Sequence, residues 1–325
     1  MTANLGPVPA VTVAVLDDYQ HVALTSADWG VLDGRAVVTV FHDHLDDEDA
    51  LVARLRSFDV IVAMRERTAF PAALLRRLPQ LRLLVTTGMA NASIDGVAAA
   101  RQGVTVCGTR STSVGTPELT WGLLLALVRD IPTEDAATRA GRWQVTIGRE
   151  LAGSTIGLLG LGRIGQRIAR YAKAFEMDVI AWSQNLTDER AAEHGARRVP
   201  KDELFTRADI VSIHLKLSHR TVGLVGAREL SLLGANGYLV NTSRGPIVDE
   251  SALVAALRDG TIAGAALDVF DVEPLPADHP LRSSPNTVIT PHIGYVSTVT
   301  YRIFHEDAVE DIIGWLDGAP VRVVG

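Results

Sequence analysis

The sequence predicts an α/β protein built from two doubly wound parallel sheets. A chain of 325 residues is longer than one small core needs and suits two lobes of about 100–200 residues each. In both halves, short Val/Ile/Leu-rich runs alternate with amphipathic stretches, the pattern of a parallel sheet covered by helices on both faces. A long helical zone without a strand separates the two halves.

The first half contains five predicted strands and three predicted helices. The strands are the β-rich runs 11–18, 37–43, 59–64, 81–88 and 104–109. The helices between them cover 46–58, 71–78 and 94–103. Asp46 or Asp47 is placed to cap the first helix, and Gly103 to end the last.

The second half repeats the alternation after the helical zone. Its six predicted strands are 154–160, 178–183, 209–215, 238–243, 263–270 and 287–290. Its helices are 163–175, 187–195, 201–208, 227–230 and 249–260. A terminal helix follows within 291–318, and we expect it to return to the first lobe, leaving a cleft between the lobes where a small molecule binds.

Composition excludes several classes of function. The net charge of −7 gives no basic field for nucleic acid, and no apolar run approaches the ~20 residues that span a bilayer. The N-terminal stretch 1–10 has neither a charged nor an apolar region typical of a signal peptide, so we expect a loose tail. A single cysteine, Cys107, fits a reducing cytoplasm, and no pattern predicts a metal site.

A glycine turn follows the first strand of the second half. Gly160, Gly162 and Gly165 match G-x-G-x-x-G between an apolar strand and an amphipathic helix. Gly160 permits the tight turn, Gly162 allows close approach of a pyrophosphate, and Gly165 allows close packing of helix on strand. The turn, including Arg163 and Ile164 at the helix N-terminus, therefore predicts a dinucleotide site.

The acid that normally binds the adenosine ribose is missing. About 20 residues past the turn stand Ser183, Gln184 and Asn185, with no Asp, Glu, Arg or Lys between Trp182 and Asp188. These side chains can donate to either a hydroxyl or a phosphate. The sequence thus favours NAD, because a phosphate without a cation is poorly compensated, and leaves NADP possible.

Three polar residues follow predicted strands of the same lobe. Arg244, Glu273 and His292 stand in the segments NTSRGPIVDE, ALDVFDVEPLP and TPHIGYVS. Because the carboxyl ends of parallel strands meet at the ligand-binding edge of a sheet, we expect the three near the nicotinamide end of the cofactor.

Together with the glycine turn, these segments resemble the D-isomer-specific 2-hydroxyacid dehydrogenases over essentially the whole chain. The resemblance implies a flavodoxin-like substrate lobe, 1–108 with 292–325, interrupted by a Rossmann dinucleotide lobe, 109–291. It also implies a homodimer with a helical arm near 115–143. The activity that it implies is NAD(P)-dependent interconversion of a small 2-keto acid and its (D)-2-hydroxy acid, with the handedness given by the resemblance alone.

The chemistry of Arg244, Glu273 and His292 agrees with the activity that the resemblance implies. Histidine suits acid/base work because imidazole titrates near neutral pH, and a neighbouring carboxylate stabilises imidazolium. We therefore expect His292 to donate the proton, Glu273 to tune it, and the planar fork of Arg244 to bind the substrate carboxylate.

Further residues are expected at the same site. Asp268 is implied by resemblance to hold the nicotinamide carboxamide, and His214, Thr242 and Gly294 are expected along the cofactor. The backbone N–H groups of Gly88 and Met89 are expected to bind the substrate carboxylate, with Tyr295 lining the pocket. Lys216 stands where the family usually has proline, so the path of that loop is open.

Two other functions stay open, as does the substrate. The alternatives are an NAD(H)-sensing corepressor-like module, which keeps the same three residues, and a purely structural dimer scaffold. The compact chain favours the enzyme. Glyoxylate, hydroxypyruvate, pyruvate, branched 2-keto acids and phosphorylated hydroxy acids all remain candidate substrates, because a fold does not identify a ligand.

Overall fold

The computed structural model describes residues 10–324, and the loose tail expected at the N-terminus lies outside them apart from Ala10. The described chain forms two compact units, one running to Thr112 and resuming at Val296, the other spanning Ser113–Tyr295. The first unit thus resumes four residues later than the sequence analysis placed it. His292 belongs to the second unit, because Asp268 of that unit holds the backbone of Ile293 and Gly294.

The first unit contains a five-stranded parallel sheet in the order β2-β1-β3-β4-β5. Its strands are β1 (Val11–Val15), β2 (Ala36–Val40), β3 (Val60–Ala63), β4 (Leu83–Thr86) and β5 (Thr105–Gly108). Strands β3 and β4 are buried at every position, as expected for a sheet covered on both faces.

Four helices cover this sheet. They are α1 (Glu48–Leu55), α2 (Ala72–Arg76), α3 (Gly96–Arg101) and, from the C-terminal segment, α11 (Thr298–Leu316). Asp47 caps α1 by accepting the N–H of Ala50, and Gly103 follows α3 with a φ of +76°. Helix α11 places Ala308, Val309 and Ile312 in the core of this unit, which confirms the return of the terminal helix to the first sheet.

The second unit contains a seven-stranded parallel sheet in the order β12-β11-β10-β9-β6-β7-β8. Its strands are β6 (Thr155–Leu159), β7 (Asp178–Trp182), β8 (Arg197–Arg198), β9 (Ile210–Ile213), β10 (Tyr238–Asn241), β11 (Gly264–Leu267) and β12 (Thr287–Ile289). The strand order reverses beside β6, because the chain builds β7 and β8 on one side of it and then β9 on the other. Such a reversal is where open α/β sheets bind ligands, at the carboxyl ends of the strands.

Seven helices belong to this unit: α4 (Gly115–Val128), α5 (Ile131–Arg139), α6 (Arg163–Ala174), α7 (Asp188–Glu193), α8 (Lys201–Arg207), α9 (Ala227–Leu233) and α10 (Glu250–Arg258). Two apolar clusters lie on opposite faces of the sheet. One includes Leu158 and Ala181 with Ile168 of α6, and the other includes Leu159 and Ile180. The predicted two-sheet α/β class is therefore confirmed.

Two local expectations need correction. The helical zone near 115–143 is broken at Arg129 and Asp130 and ends at Arg139, because Gly141 takes a φ of +76° and the chain then runs without regular structure to Glu150. Strand β8 was not predicted, since two arginines give no apolar run. Pairing of Arg197 and Arg198 with Ile180 and Ala181 makes it a strand.

Candidate functional site

The glycine turn after β6 has the shape of a phosphate cradle. Gly160 takes a φ of +101°, and a Cβ on Gly165 would lie 2.1 Å from the Gly160 carbonyl oxygen, so side chains are excluded at both positions. Around Gly162 there is open space, with nothing within 4 Å of a Cβ position. Gly162 is also the N-cap of α6 and has no side chain to cap it. The first N–H groups of the helix are therefore left for an anion, and the turn fits a dinucleotide pyrophosphate.

The loops that leave β7 and β9 flank this turn. Gly160 donates its N–H to the carbonyl of Trp182 at 2.8 Å. On its other side, a Cβ would lie 2.7 Å from the carbonyl oxygen of His214. Ser183, half-buried, and the exposed Gln184 and Asn185 therefore begin beside the turn, and their contact with an adenosine ribose stays a prediction.

His214 is held as a neutral ring. Its Nε2 lies 2.9 Å from the Ser212 hydroxyl, and burial lowers the pKa of the imidazole to about 3. A ring that stays uncharged at neutral pH suits packing along a cofactor and does not suit proton delivery.

His292 and Glu273 form a close pair. His292 Nδ1 lies 2.5 Å from Glu273 Oε2, and the other carboxylate oxygen accepts the N–H of Phe270 at 2.9 Å. About a quarter of the His292 side chain is exposed, and its second nitrogen, Nε2, is the one left to meet a substrate. The pair has the base-and-orienter arrangement of acid/base catalysis.

The backbone at His292 is unusual. His292 adopts a φ of +53°, a left-handed conformation that non-glycine residues seldom occupy. Its N–H donates to the carbonyl of Thr290 at 3.0 Å, which closes a tight turn after β12. This turn directs the imidazole and must be held by its surroundings, since such a conformation costs about 1–3 kcal/mol.

Asp268 supplies that hold. Its carboxylate, 1% exposed, accepts the N–H groups of Ile293 and Gly294, each at 2.8 Å, and the hydroxyl of Thr290 at 2.6 Å. Burial raises the pKa of Asp268 while these three bonds oppose the rise. The carboxylate therefore fixes the histidine turn, and its expected contact with a nicotinamide carboxamide stays a prediction.

Arg244 stands on a loop organised by its neighbours. Asn241, at the end of β10, donates from its amide to the Arg244 carbonyl at 3.0 Å and accepts the N–H of Ser243 at 3.0 Å. The Ser243 hydroxyl donates to the carbonyl of Leu215. A Cβ on Gly245 would lie 2.0 Å from the backbone of Phe270, so this loop packs directly on the segment that leads to Glu273. The half-buried guanidinium of Arg244 is bonded in part to the Ser243 carbonyl at 2.7 Å.

Thr242 and Gly294 both adjoin helix α4. The Thr242 hydroxyl lies 2.7 Å from that of Thr120, so it already has a partner inside the unit. The Gly294 carbonyl accepts the Thr116 hydroxyl at 3.1 Å, and a Cβ on Gly294 would crowd Asp268 and Thr116. Thr242 and Gly294 are thus fixed by side chains of α4. Their expected contacts with the cofactor stay predictions.

Tyr295 lies beside the histidine. Its ring meets that of His292 edge to face, with centroids 5.6 Å apart. Edge-to-face rings attract each other by about 0.5–1.5 kcal/mol, so Tyr295 contributes to fixing the orientation of the imidazole.

In the first unit, Gly88 differs from expectation. The Gly88 N–H donates to the Thr109 hydroxyl at 2.8 Å. The N–H group that was expected to bind the substrate carboxylate therefore already has a partner inside the unit. The space above Gly88 is also taken, because a Cβ there would lie 2.0 Å from Nη1 of Arg65. Met89, half exposed, keeps its expected role as a prediction.

Three residues that fix the loops of Arg244 and His292 were not among the predicted site residues: Asn241, Ser243 and Thr290. Polar side chains at the ends of apolar strands were the available signal.

Over residues 10–324, no group of three or more His, Cys, Asp or Glu side chains is arranged to hold a metal ion. In that same range, no helix has the length and apolarity needed to span a membrane.

Comparisons with known proteins agree on one family. Residues 121–294 match the model of the D-isomer specific 2-hydroxyacid dehydrogenase, NAD binding domain. The chain is 37% identical over 280 residues to a glyoxylate reductase of Aeropyrum pernix, with 83% of each chain covered. It is 33% identical to a D-3-phosphoglycerate dehydrogenase of Archaeoglobus fulgidus, where 84% of this chain covers only 52% of that protein. The crystal structure of a phosphoglycerate oxidoreductase from Vibrio cholerae O395 superposes with a TM-score of 0.90 at 37% identity, covering 95% of this chain and all of that one.

Proposed function

Because this chain belongs to the D-isomer-specific 2-hydroxyacid dehydrogenase family, we propose that it interconverts a small 2-keto acid and the matching (D)-2-hydroxy acid, with His292 as its acid/base residue. It is an NAD(P)-dependent oxidoreductase whose second unit contains the NAD-binding domain. The observation that carries the proposal is the 2.5 Å contact between His292 Nδ1 and Glu273 Oε2, which leaves Nε2 for the substrate. The relatives named above are enzymes, so they do not favour the NAD(H)-sensing module.

The residues of the glycine turn fit the cofactor. Gly160, Gly162 and Gly165 shape the cradle, and the N-terminus of α6, with Arg163 and Ile164, would hold the pyrophosphate. Ser183, Gln184 and Asn185 would hydrogen-bond the adenosine ribose, while His214 and Gly294 would lie along the cofactor. When bound, the reduced cofactor supplies the hydride.

His292 performs the proton transfer in this proposal. In the reducing direction, Nε2 donates a proton to the carbonyl oxygen as that oxygen becomes a hydroxyl, and in the oxidising direction Nε2 takes it back. Glu273 accepts the Nδ1 proton, which fixes the tautomer and stabilises the charge on the ring. General acid/base catalysis of this kind contributes about 10²–10⁴ in rate.

Arg244 binds the substrate carboxylate. Its guanidinium offers several N–H donors in one plane, and the bond to the Ser243 carbonyl uses Nη1 and orients the group. The loop beneath it is fixed by Asn241 and Gly245, so the fork is preorganised for a planar acid. Tyr295, which lies beside His292 in the same unit, lines the proposed substrate site.

A homodimer is also proposed. At the start of α5 and in the segment after it, the second unit exposes four large apolar side chains: Ile131, Trp143, Val145 and Ile147, with Trp143 78% and Ile147 98% exposed. Large apolar side chains exposed together along one segment favour a protein interface there. Light scattering should give the mass of two chains, and Trp143→Ser with Ile147→Ser should shift it toward one.

A cytoplasmic location is proposed on the single thiol. Cys107 is buried, and burial raises the pKa of that thiol to about 12, so the cysteine is inert where it stands. With one cysteine, the chain forms no intramolecular disulfide, the bond that an oxidising compartment favours. The test is fractionation of the cells that make this protein, in which the chain should be found in the cytoplasmic fraction.

The proposed function is tested by following the oxidation of NADH and NADPH with glyoxylate, hydroxypyruvate, pyruvate, branched 2-keto acids and a phosphorylated keto acid. We expect turnover with at least one of them, lost in His292→Ala. Binding of the cofactor without turnover of any 2-keto acid would contradict the enzymatic proposal and return the sensing module to consideration.

A further inference from the structure

We propose that Lys216, on the loop leaving β9, binds the adenosine 2′-phosphate of NADPH and lets this chain use NADPH as well as NADH. This rests on the proposed function and adds a cofactor-specificity residue to it. Between Trp182 and Asp188 the loop leaving β7 has neither an acid that excludes a 2′-phosphate nor a cation that accepts it. The fold brings a cation to the turn from a different strand.

The placement of Lys216 follows from the glycine turn. The Gly160 N–H donates to the carbonyl of Trp182, and a Cβ on Gly160 would lie 2.7 Å from the carbonyl oxygen of His214. Ser183 is one residue past the first contact and Lys216 two residues past the second. Because consecutive Cα atoms are about 3.8 Å apart, both residues start within about 8 Å of those contacts.

The loop that bears Lys216 is well fixed. Leu215 has its carbonyl bonded to the Ser243 hydroxyl, and its side chain would meet a Cβ on Gly160 at 3.1 Å. The Lys216 carbonyl accepts the hydroxyl of Thr221 at 2.8 Å, and the Thr221 oxygen in turn accepts the N–H of Ser218 at 2.8 Å. The Lys216 backbone is thus anchored on both sides, which lowers the entropic cost of binding a phosphate there.

Charge around the turn favours an anion. Lys216 is exposed, and among residues 10–324 no carboxylate lies within ion-pair distance of it. The nearest acid past the β7 loop, Asp188, is 3.5 Å from Arg198 of β8, a strand paired with β7. A 2′-phosphate beside Ser183 therefore meets one uncompensated ammonium group, and the carboxylate that would repel it is partly neutralised.

The experiment is isothermal titration of the full-length protein with ADP and with adenosine 2′,5′-bisphosphate, which differ in phosphate placement and need no turnover. We expect Lys216→Ala to weaken binding of the 2′,5′-bisphosphate about fivefold to tenfold and that of ADP less than twofold, as for one charge-assisted contact. Lys216→Arg should restore most of the difference. The matched control is Lys173→Ala, which removes the same charge near the C-terminal end of α6, about 15 Å along the helix axis from the glycine turn.

Three results would overturn the assignment. Equal weakening of both nucleotides in Lys216→Ala would place the lysine on the 5′-phosphate that both carry. Unchanged binding of both would remove it from any phosphate, and an equal effect of Lys173→Ala would reduce it to general electrostatics. If the unaltered protein binds neither ADP, the 2′,5′-bisphosphate nor NADH, the proposed function itself fails, and that outcome is distinct from the other three.

Discussion

The Asp268 carboxylate accepts the backbone N–H of Gly294 at 2.8 Å, so a buried strand end holds the turn that bears the proposed acid/base histidine. The same group accepts the N–H of Ile293 and the hydroxyl of Thr290. The left-handed backbone of His292 lies inside the span that these three bonds define. In the proposed mechanism, proton transfer therefore depends on a residue that need not touch the substrate.

Asp268→Asn should lower both stability and turnover. The amide group that replaces the carboxylate would turn a donor toward at least one backbone N–H, leaving a buried donor unpaired at a cost of about 1–3 kcal/mol. We expect a lower melting temperature and a kcat reduced more than tenfold. A variant with full kcat would show that the turn holds its shape without the carboxylate. Asp278→Asn, at an exposed carboxylate, is the matched control.

His292→Ala should reduce kcat by about 10²–10⁴ while NADH binds with nearly unchanged affinity, because the ring is assigned to proton transfer and not to the cofactor. Stopped-flow turnover and cofactor titration measure the two effects separately. Normal turnover would mean that the proton donor has been misassigned. His194→Ala, beyond α7, serves as the control histidine.

Glu273→Gln should lower kcat by about 10²–10⁴ with little change in KM. The amide can present N–H to His292 Nδ1, which selects the tautomer with its proton on Nε2 and removes the charge that stabilises imidazolium. The volume is conserved, so the melting temperature should stay within about 2 °C, near the scale of a 0.5 kcal/mol change. A rise in KM with kcat preserved would assign Glu273 to substrate binding instead.

Arg244→Lys should raise KM for the keto acid about tenfold to a hundredfold. Lysine keeps the charge but loses the planar fork that bonds a carboxylate at two points. Steady-state kinetics against the best 2-keto acid measure this, with KM for NADH as the internal comparison. An unchanged catalytic efficiency would remove Arg244 from the carboxylate role.

Asp311→Asn should stabilise the protein at alkaline pH. Asp311 lies in the first unit, fully buried, with Arg322 Nη2 at 3.1 Å, and burial raises its pKa to about 7. A carboxyl whose folded pKa is raised contributes stability that is complete below its unfolded pKa and is lost as the pH rises through the folded value.

The gain from Asp311→Asn should therefore be small near pH 4 and reach about 4 kcal/mol by pH 8.5, as judged from denaturant unfolding. Asp33→Asn, at an exposed carboxylate of the same unit, controls for the change in net charge. A gain that does not grow with pH would show that Arg322 fully compensates the buried charge.

Local signals in the sequence were enough to predict the two-sheet α/β class, most of the elements and the glycine turn. The periodicity of apolar residues, the Val/Ile/Leu content of strands and the glycines of a turn each depend on only a few neighbouring residues. They also identified Arg244, Glu273 and His292 as candidates, since polar residues after buried strands collect at one sheet edge. The same signals did not predict β8, and they predicted a helical zone that extends beyond Arg139, where α5 ends. A two-residue edge strand and the end of a polar helix leave little local pattern.

Which groups meet was set by long-range packing and became visible only in the folded chain. Asp268 and Gly294 are 26 residues apart, and the pairing of β11 with β12 brings them together. The N–H of Gly88 is taken by Thr109 because β4 and β5 are neighbours. Lys216 comes beside the glycine turn because β9 and β7 lie on either side of β6. Strand order depends on contacts between distant segments, so no local pattern contains it.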